Sequence, residues 1–131
     1  YFTIVYAEVD TELKKMTYVN AGHNATPIMA NENSVALMGN RGPFISNIFP
    51  ELDFNEVTLD LIPGYRFFFY TDGLVETADI NGNFFGLDRF MRWINKNRSE
   101  DGLIDKLIRD LNSFRWLEQK DDIAILYMSV K

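Results

Sequence analysis

Two acidic stretches stand apart as candidates for chemistry. Asp72 follows the aromatic run Phe67-Phe68-Phe69-Tyr70 and Thr71, and Gly73 comes directly after it. Asp121 and Asp122 immediately precede a second apolar run, residues 123–130, and are expected to be buried there. Carboxylates at the ends of two strands can meet at one sheet edge even when a long stretch of chain separates them. Hard cations such as Mg²⁺ take oxygen ligands, commonly one or two carboxylates with water and substrate phosphate. The same residues also suit ordinary turns, since Asp-Gly is a frequent turn pair and Asp bonds to nearby backbone. Spacing alone leaves both readings open. His23 is the single histidine and sits in Asn20-Ala21-Gly22-His23-Asn24. It is a candidate general acid or metal ligand, or else a hydrogen-bonded structural residue of its loop. Glu76 reads as the first turn of a short helix rather than as a residue that supports a ligand from behind. No Ser or Thr stands beside a basic residue as an activated nucleophile would require.

The elements that must position these residues begin with a sheet. Residues 2–9 and 15–20 are β-branched and aromatic runs joined by a polar turn, which predicts a hairpin. Short strands are predicted at 26–29 and 35–38. Residues 39–53 contain two Gly and two Pro without a clear period and read as a long ordered loop. Strands at 57–62 and 66–71 flank Pro63-Gly64, a pair that suits a type II turn. The run Phe67 to Tyr70 is apolar on both faces, so it should be a central strand covered on both sides. Leu87, Phe90, Met91 and Ile94 fall on one helical face. Leu103, Ile104, Leu107, Ile108 and Leu111 mark a second amphipathic helix, with Ser99 as its predicted cap and Glu100 and Asp101 near its start. A last strand covers 123–130.

Composition narrows the function classes. Nineteen acidic residues outnumber thirteen basic ones, and the net charge of −6 disfavours nucleic-acid partners. With no cysteine, disulfides, thiolate metal sites and cysteine nucleophiles are excluded. That usage fits a reducing cytoplasm. No apolar run approaches the roughly 20 residues of a membrane helix, so no membrane contact is expected of this segment. Residues 2–6 already read as a strand and no Met precedes them, so the chain reads as part of a longer one.

Taken in order, several pieces resemble the SpoIIE/RsbU-type branch of the PPM (PP2C-like) phosphatases. They are Tyr18-Val19-Asn20-Ala21-Gly22-His23, Gly42-Pro43, Leu61-Ile62-Pro63-Gly64, Phe69-Tyr70-Thr71-Asp72-Gly73-Leu74-Val75-Glu76, Asn83-Phe84-Phe85-Gly86 and Asp121-Asp122-Ile123-Ala124. The resemblance implies an α+β fold, a partial PP2C-like αββα sandwich of mostly antiparallel sheets with two helices. It implies that residues 1–131 are the C-terminal portion of one phosphatase domain. It also implies two Mn²⁺ or Mg²⁺ ions, and a metal-activated water that hydrolyses phosphoserine or phosphothreonine, so no side chain is the nucleophile. By the same resemblance Asp72 is a metal ligand, Asp121 aligns with the family's final aspartate, and Asp122 is the second choice. Gly22 and His23 would be structural. The implied partners are a phosphorylated regulatory protein, for example an anti-sigma-factor antagonist, and a sensor domain upstream.

Three features depart from the family pattern. The family's first aspartate, which bridges both ions, comes from an earlier Asp-Gly segment that no residue here supplies. Ile45 follows Gly42-Pro43-Phe44 where the family often has Gly, and Ala124 stands where Thr is usual. The first departure predicts that this chain is inactive alone. Sheet edges left bare by such a gap predict self-association. The rival reading is a non-catalytic pseudophosphatase or protein-interaction module.

Overall fold

The computed structural model describes residues 1–48, 51–99 and 101–131. In chain order it contains strands β1 (Ile4–Asp10), β2 (Lys15–Ala21), β3 (Ile28–Ala30), β4 (Val35–Leu37), β5 (Arg41–Gly42), β6 (Val57–Asp60) and β7 (Arg66–Tyr70). Helices α1 (Asp72–Val75), α2 (Leu87–Asn97) and α3 (Leu103–Phe114) follow, and strand β8 (Ile125–Ser129) comes last. The expected hairpin is present. Asp10 Oδ1 accepts hydrogen bonds from the Glu12 and Leu13 amides at 2.9 and 2.8 Å. Lys14 takes the left-handed φ of 54° that reverses the chain, and β1 pairs with β2 from Ile4↔Ala21 to Asp10↔Lys15.

Two sheets form. In one, β2 is flanked by β1 and β6, both antiparallel, and pairs in parallel with β5. The other is antiparallel in the order β4-β3-β7-β8. β7 behaves as its sequence predicts. Phe68 and Tyr70 face the helices and pack with Ile28, Phe90, Ile94 and Leu107. Phe67 faces the other sheet and packs with Met16, Tyr18, Met38 and Leu61. The side-chain period of a strand is two, so one aromatic run serves both cores. Phe67 and Phe68 are each fully buried, and burial of that kind contributes roughly 1.5–3 kcal/mol per side chain. The layers are therefore sheet, sheet and helices: the PP2C-like α+β sandwich, with helices described on one outer face.

The structure corrects several sequence expectations. Ser99 does not cap the second long helix: α3 starts after Gly102, which sits in the left-handed region, and no side chain caps it. Glu100 lies outside the described residues. The buried stripe of α3 is Leu103, Leu107 and Leu111, while Ile108 is exposed. A third helix, α1, is a single turn that starts at Asp72 itself, with Glu76 as its C-cap. The predicted loop at 39–53 contributes β5, and its residues 49 and 50 lie outside the described residues. Gly64 has φ 94° and Tyr65 N–H bonds Ile62 O at 3.0 Å, as a type II turn at Pro63-Gly64 requires.

Among the described residues β1 pairs only with β2, and β8 only with β7. β1 is exposed over nearly its whole length, including Ile4, Tyr6 and Val9. Leu126 on β8 is exposed too. No helix among the described residues is long and apolar enough to cross a membrane.

Candidate functional site

The register of β7 against β8 explains how Asp72 meets Asp121 and Asp122. It runs from Arg66↔Ser129 to Tyr70↔Ile125. In an antiparallel pair each step forward on one strand is a step backward on the other. Residues just past Tyr70 therefore lie beside residues just before Ile125. Thr71 extends the ladder by one more bond, from its amide to Ala124 O at 3.1 Å.

The Thr71 side chain then fastens the two loops. Its Oγ1 accepts from the Ala124 amide at 2.9 Å and donates to Asp122 O at 2.9 Å. A Thr before the first turn of a helix ordinarily caps that helix. Here Thr71 is the N-cap of α1 yet makes no cap bond, because its hydroxyl is used on the opposite loop.

Gly73 permits the closest approach. A Cβ built there would lie 2.6 Å from Asp122 O and 2.9 Å from Asp121 O, closer than real carbon and oxygen atoms come. Only a residue without a side chain admits this contact. On the far side Gln119 spans the same gap: its Nε2 donates to Gly73 O at 3.0 Å and to Asp121 O at 2.9 Å.

The structure therefore brings the backbone of Asp72-Gly73 against that of Asp121-Asp122. It also corrects one expectation about them. Asp72 is half-buried, but Asp121 and Asp122 are exposed rather than buried. The reason is topological: α3 ends at Phe114 and the chain runs over the surface until β8 starts at Ile125. The ion pairs found among the described residues, Lys15–Asp60 and Lys106–Asp110, involve none of the three aspartates. No group of three His, Cys, Asp or Glu among the described residues is placed to enclose a metal ion. The aspartates thus offer oxygen ligands on two fastened loops without forming a closed cage.

His23 lies at the same end of the sandwich. Its Nε2 is 3.0 Å from Tyr70 O. A carbonyl only accepts, so this bond assigns the proton to Nε2. Its amide donates to Asn20 Oδ1 at 2.9 Å, and Asn20 Nδ2 donates back to His23 O at 3.3 Å. The ring therefore ties the loop after β2 to the end of β7, a fastening between the two sheets. A cavity of about 300 Å³ opens beside it between the bare edges, lined by Val5, His23, Thr71, Ala124 and Leu126 among others.

Three residues of this arrangement carry no signal in the sequence that would have assigned them a role. Thr71 belongs to a recognisable motif but its cross-loop bonds depend on register. Thr77 and Gln119 stand in no motif: Thr77 Oγ1 lies 3.0 Å from Gly73 O and 3.3 Å from Gln119 Oε1, and only the fold brings Gln119 to both.

The family model described as Stage II sporulation protein E (SpoIIE) matches residues 1–131. The chain is 27% identical over 126 residues to Protein IcfG of Synechocystis, covering 95% of this chain and 20% of that protein. Its fold is similar to the SiaA-PP2C domain of Pseudomonas aeruginosa, with TM-score 0.84, 20% identity, 98% of this chain and 52% of that one covered. It is also similar to the phosphatase domain of SpoIIE from Bacillus subtilis presoaked with Mn, with TM-score 0.70, 17% identity, and 98% and 56% covered. The RsbU and RsbW domains of a Mycobacterium tuberculosis protein give TM-score 0.70 at 23% identity, with 97% and 35% covered. The chain thus spans about half the length of the two phosphatase-domain structures, and a fifth of IcfG.

Proposed function

Because the chain belongs to the Stage II sporulation protein E family, we propose that residues 1–131 are the C-terminal portion of a metal-dependent protein serine/threonine phosphatase domain. The observation that carries this reading is the fastening of Asp72-Gly73 to Asp121-Asp122 by Thr71, Gln119 and the bare Cα of Gly73. Turn residues alone would not need two loops locked together from both sides.

The residues present fit Mn²⁺ or Mg²⁺. Asp72 and Asp121 would hold it, with Asp122 as the second choice. They are oxygen donors, they lie on neighbouring loops, and no basic side chain among the described residues neutralises them. One or two carboxylates with the remaining positions left to water and phosphate is how such ions are usually held. Divalent ions bound there would neutralise phosphate charge and make water a nucleophile near neutral pH. The chain's own part is to aim the two carboxylates. β7 and β8 hold the loops in register, Thr71 sets their separation, and His23 keeps the end of β7 against the other sheet.

The substrate assigned by this reading is a phosphorylated regulatory protein, of the anti-sigma-factor-antagonist kind, in the cytoplasm, with a sensor domain upstream in the same protein. The first bridging aspartate expected of the family is not among residues 1–131, so this chain alone is expected to be inactive. In the protein that carries the whole domain, Asp72→Asn or Asp121→Asn should abolish hydrolysis of a phosphoserine protein across a range of Mn²⁺ concentrations. Circular dichroism should stay unchanged, and Asp122→Asn should be milder. Near-normal rates in both the Asp72 and Asp121 variants would overturn the reading in favour of a binding module.

A further inference from the structure

We infer that Gln119 is a positioning residue for the two aspartate loops, and that Thr77 acts through it. The inference rests on Asp72 and Asp121 holding a divalent ion, as proposed above. Segment 115–124 has no regular secondary structure, so nothing periodic sets the place of Asp121. Three sets of bonds do so instead. Upstream, Trp116 N–H bonds Ala78 O at 3.0 Å. Downstream, Thr71 holds Asp122 and Ala124. Between them Gln119 spends both N–H groups of its amide, one on Asp121 O and one on Gly73 O, across 46 positions of sequence.

The other face of the Gln119 amide is also held. Thr77 is 2% exposed. Its Oγ1 lies 3.0 Å from Gly73 O and 3.3 Å from Gln119 Oε1. Its single proton serves one of these oxygens at a time, and Gly73 O has two lone pairs to accept from both side chains. The carbonyl next to Asp72 and the carbonyl of Asp121 itself are thus joined through one planar group, whose Oε1 the Thr77 hydroxyl holds from behind when its proton turns that way. Metal ligation tolerates distance errors of only about 0.2 Å. A link that sets the gap between two ligating loops therefore acts on affinity without touching the ion.

Removing the donors while keeping the stem isolates that role. Gln119→Met retains length and adds no charge, and Thr77→Val retains volume. In the full-length protein, Mn²⁺ affinity should be read by the free-ion signal in electron paramagnetic resonance, with thermal unfolding alongside. Gln119→Met should weaken Mn²⁺ binding by roughly 10-fold or more, the size seen when partners behind metal ligands are lost. Thr77→Val should weaken it less, and both should unfold cooperatively near the wild-type temperature. Unchanged Mn²⁺ affinity in both variants, while Asp72→Asn and Asp121→Asn lose the ion, would overturn the positioning role alone. Unchanged affinity in the aspartate variants as well would overturn the metal reading and this inference with it. If Gln119→Met fails to fold, Thr77→Val decides: wild-type affinity there refutes the linkage, and weakened affinity supports it.

Discussion

β7 and β1 are both strands rich in β-branched or aromatic residues, of five and seven residues, yet they live in different surroundings. β7 has a strand on each side and a core on each face, and Phe67 and Phe68 are wholly inaccessible. β1 has one neighbour, and its Tyr6 remains 60% exposed. Strand sequence therefore reports what a residue is suited to cover, and only topology decides whether anything covers it. The Asp72 loop grows from the well-covered strand, and the Asp121-Asp122 loop leads into its neighbour β8. This is physically sensible, because a carboxylate is aimed well only from a rigid support.

The comparison breaks most visibly by truncation. Phe68 packs against Phe90 and Tyr127, and Phe68→Ala should cost about 3–5 kcal/mol in urea unfolding. Tyr6→Ala on β1 should fall within about 0.5 kcal/mol, the range of surface changes. Its visible effect should be on association: bare apolar edges pair with other chains, so the wild-type chain should self-associate in sedimentation and Tyr6→Lys less so. A monomer at high concentration would show that the exposed edge is harmless.

A smaller effect should follow at the junction of β7 with β8. Gly73→Ala places a methyl against two carbonyl oxygens that are backbone and cannot step aside by a rotamer change. The expected cost is about 1–3 kcal/mol, in line with overpacking, and should be read as a lower unfolding midpoint. A neutral result would mean that the Asp121-Asp122 loop yields easily.

The smallest effect belongs to the helix layer that covers β7. The Trp93 indole donates to Asp110 Oδ2 at 2.8 Å, and this bond, with Lys106 nearby, holds the Asp110 carboxyl below its ordinary value. A carboxyl whose value is lowered on folding adds stability above its unfolded value of about 3.9. That contribution is lost as pH falls through the folded value. Trp93→Phe should therefore flatten this part of the acid dependence, from about pH 4 downward, when unfolding midpoints are compared across pH. The carboxyl is partly exposed, so the change should be slight.

Much of this was legible beforehand. Alternation and turn residues placed β1, β2, β6, β7 and both long helices to within a few positions, since burial periodicity and Pro-Gly chemistry are local. Asp72 and Asp121 were legible as strand-end carboxylates. Two things were hidden for one reason. Gln119 meets Gly73 and Thr77 through the fold, across 46 and 42 positions, and no local pattern encodes a contact between segments so far apart. The exposure of Asp121 and Asp122 is hidden because an apolar run follows them directly, whereas their neighbours in space are the surface path from α3 to β8. Ser99 looked like a cap because it preceded acidic residues, but the left-handed Gly102 starts the helix instead.

The bonds from Thr71 reach residues 51 and 53 positions further on. A growing polypeptide on the ribosome would carry Asp72 for seconds before Asp121 emerged, at synthesis rates of about 5–20 residues per second. Until then the carboxylate would face open water with only half of its setting built. Closing so long a loop is entropically slow compared with forming the β1–β2 hairpin. On the metal-binding role proposed for Asp72 and Asp121, a nascent chain would accordingly be silent toward divalent ions until β8 had docked, which makes β8 a timer for that site.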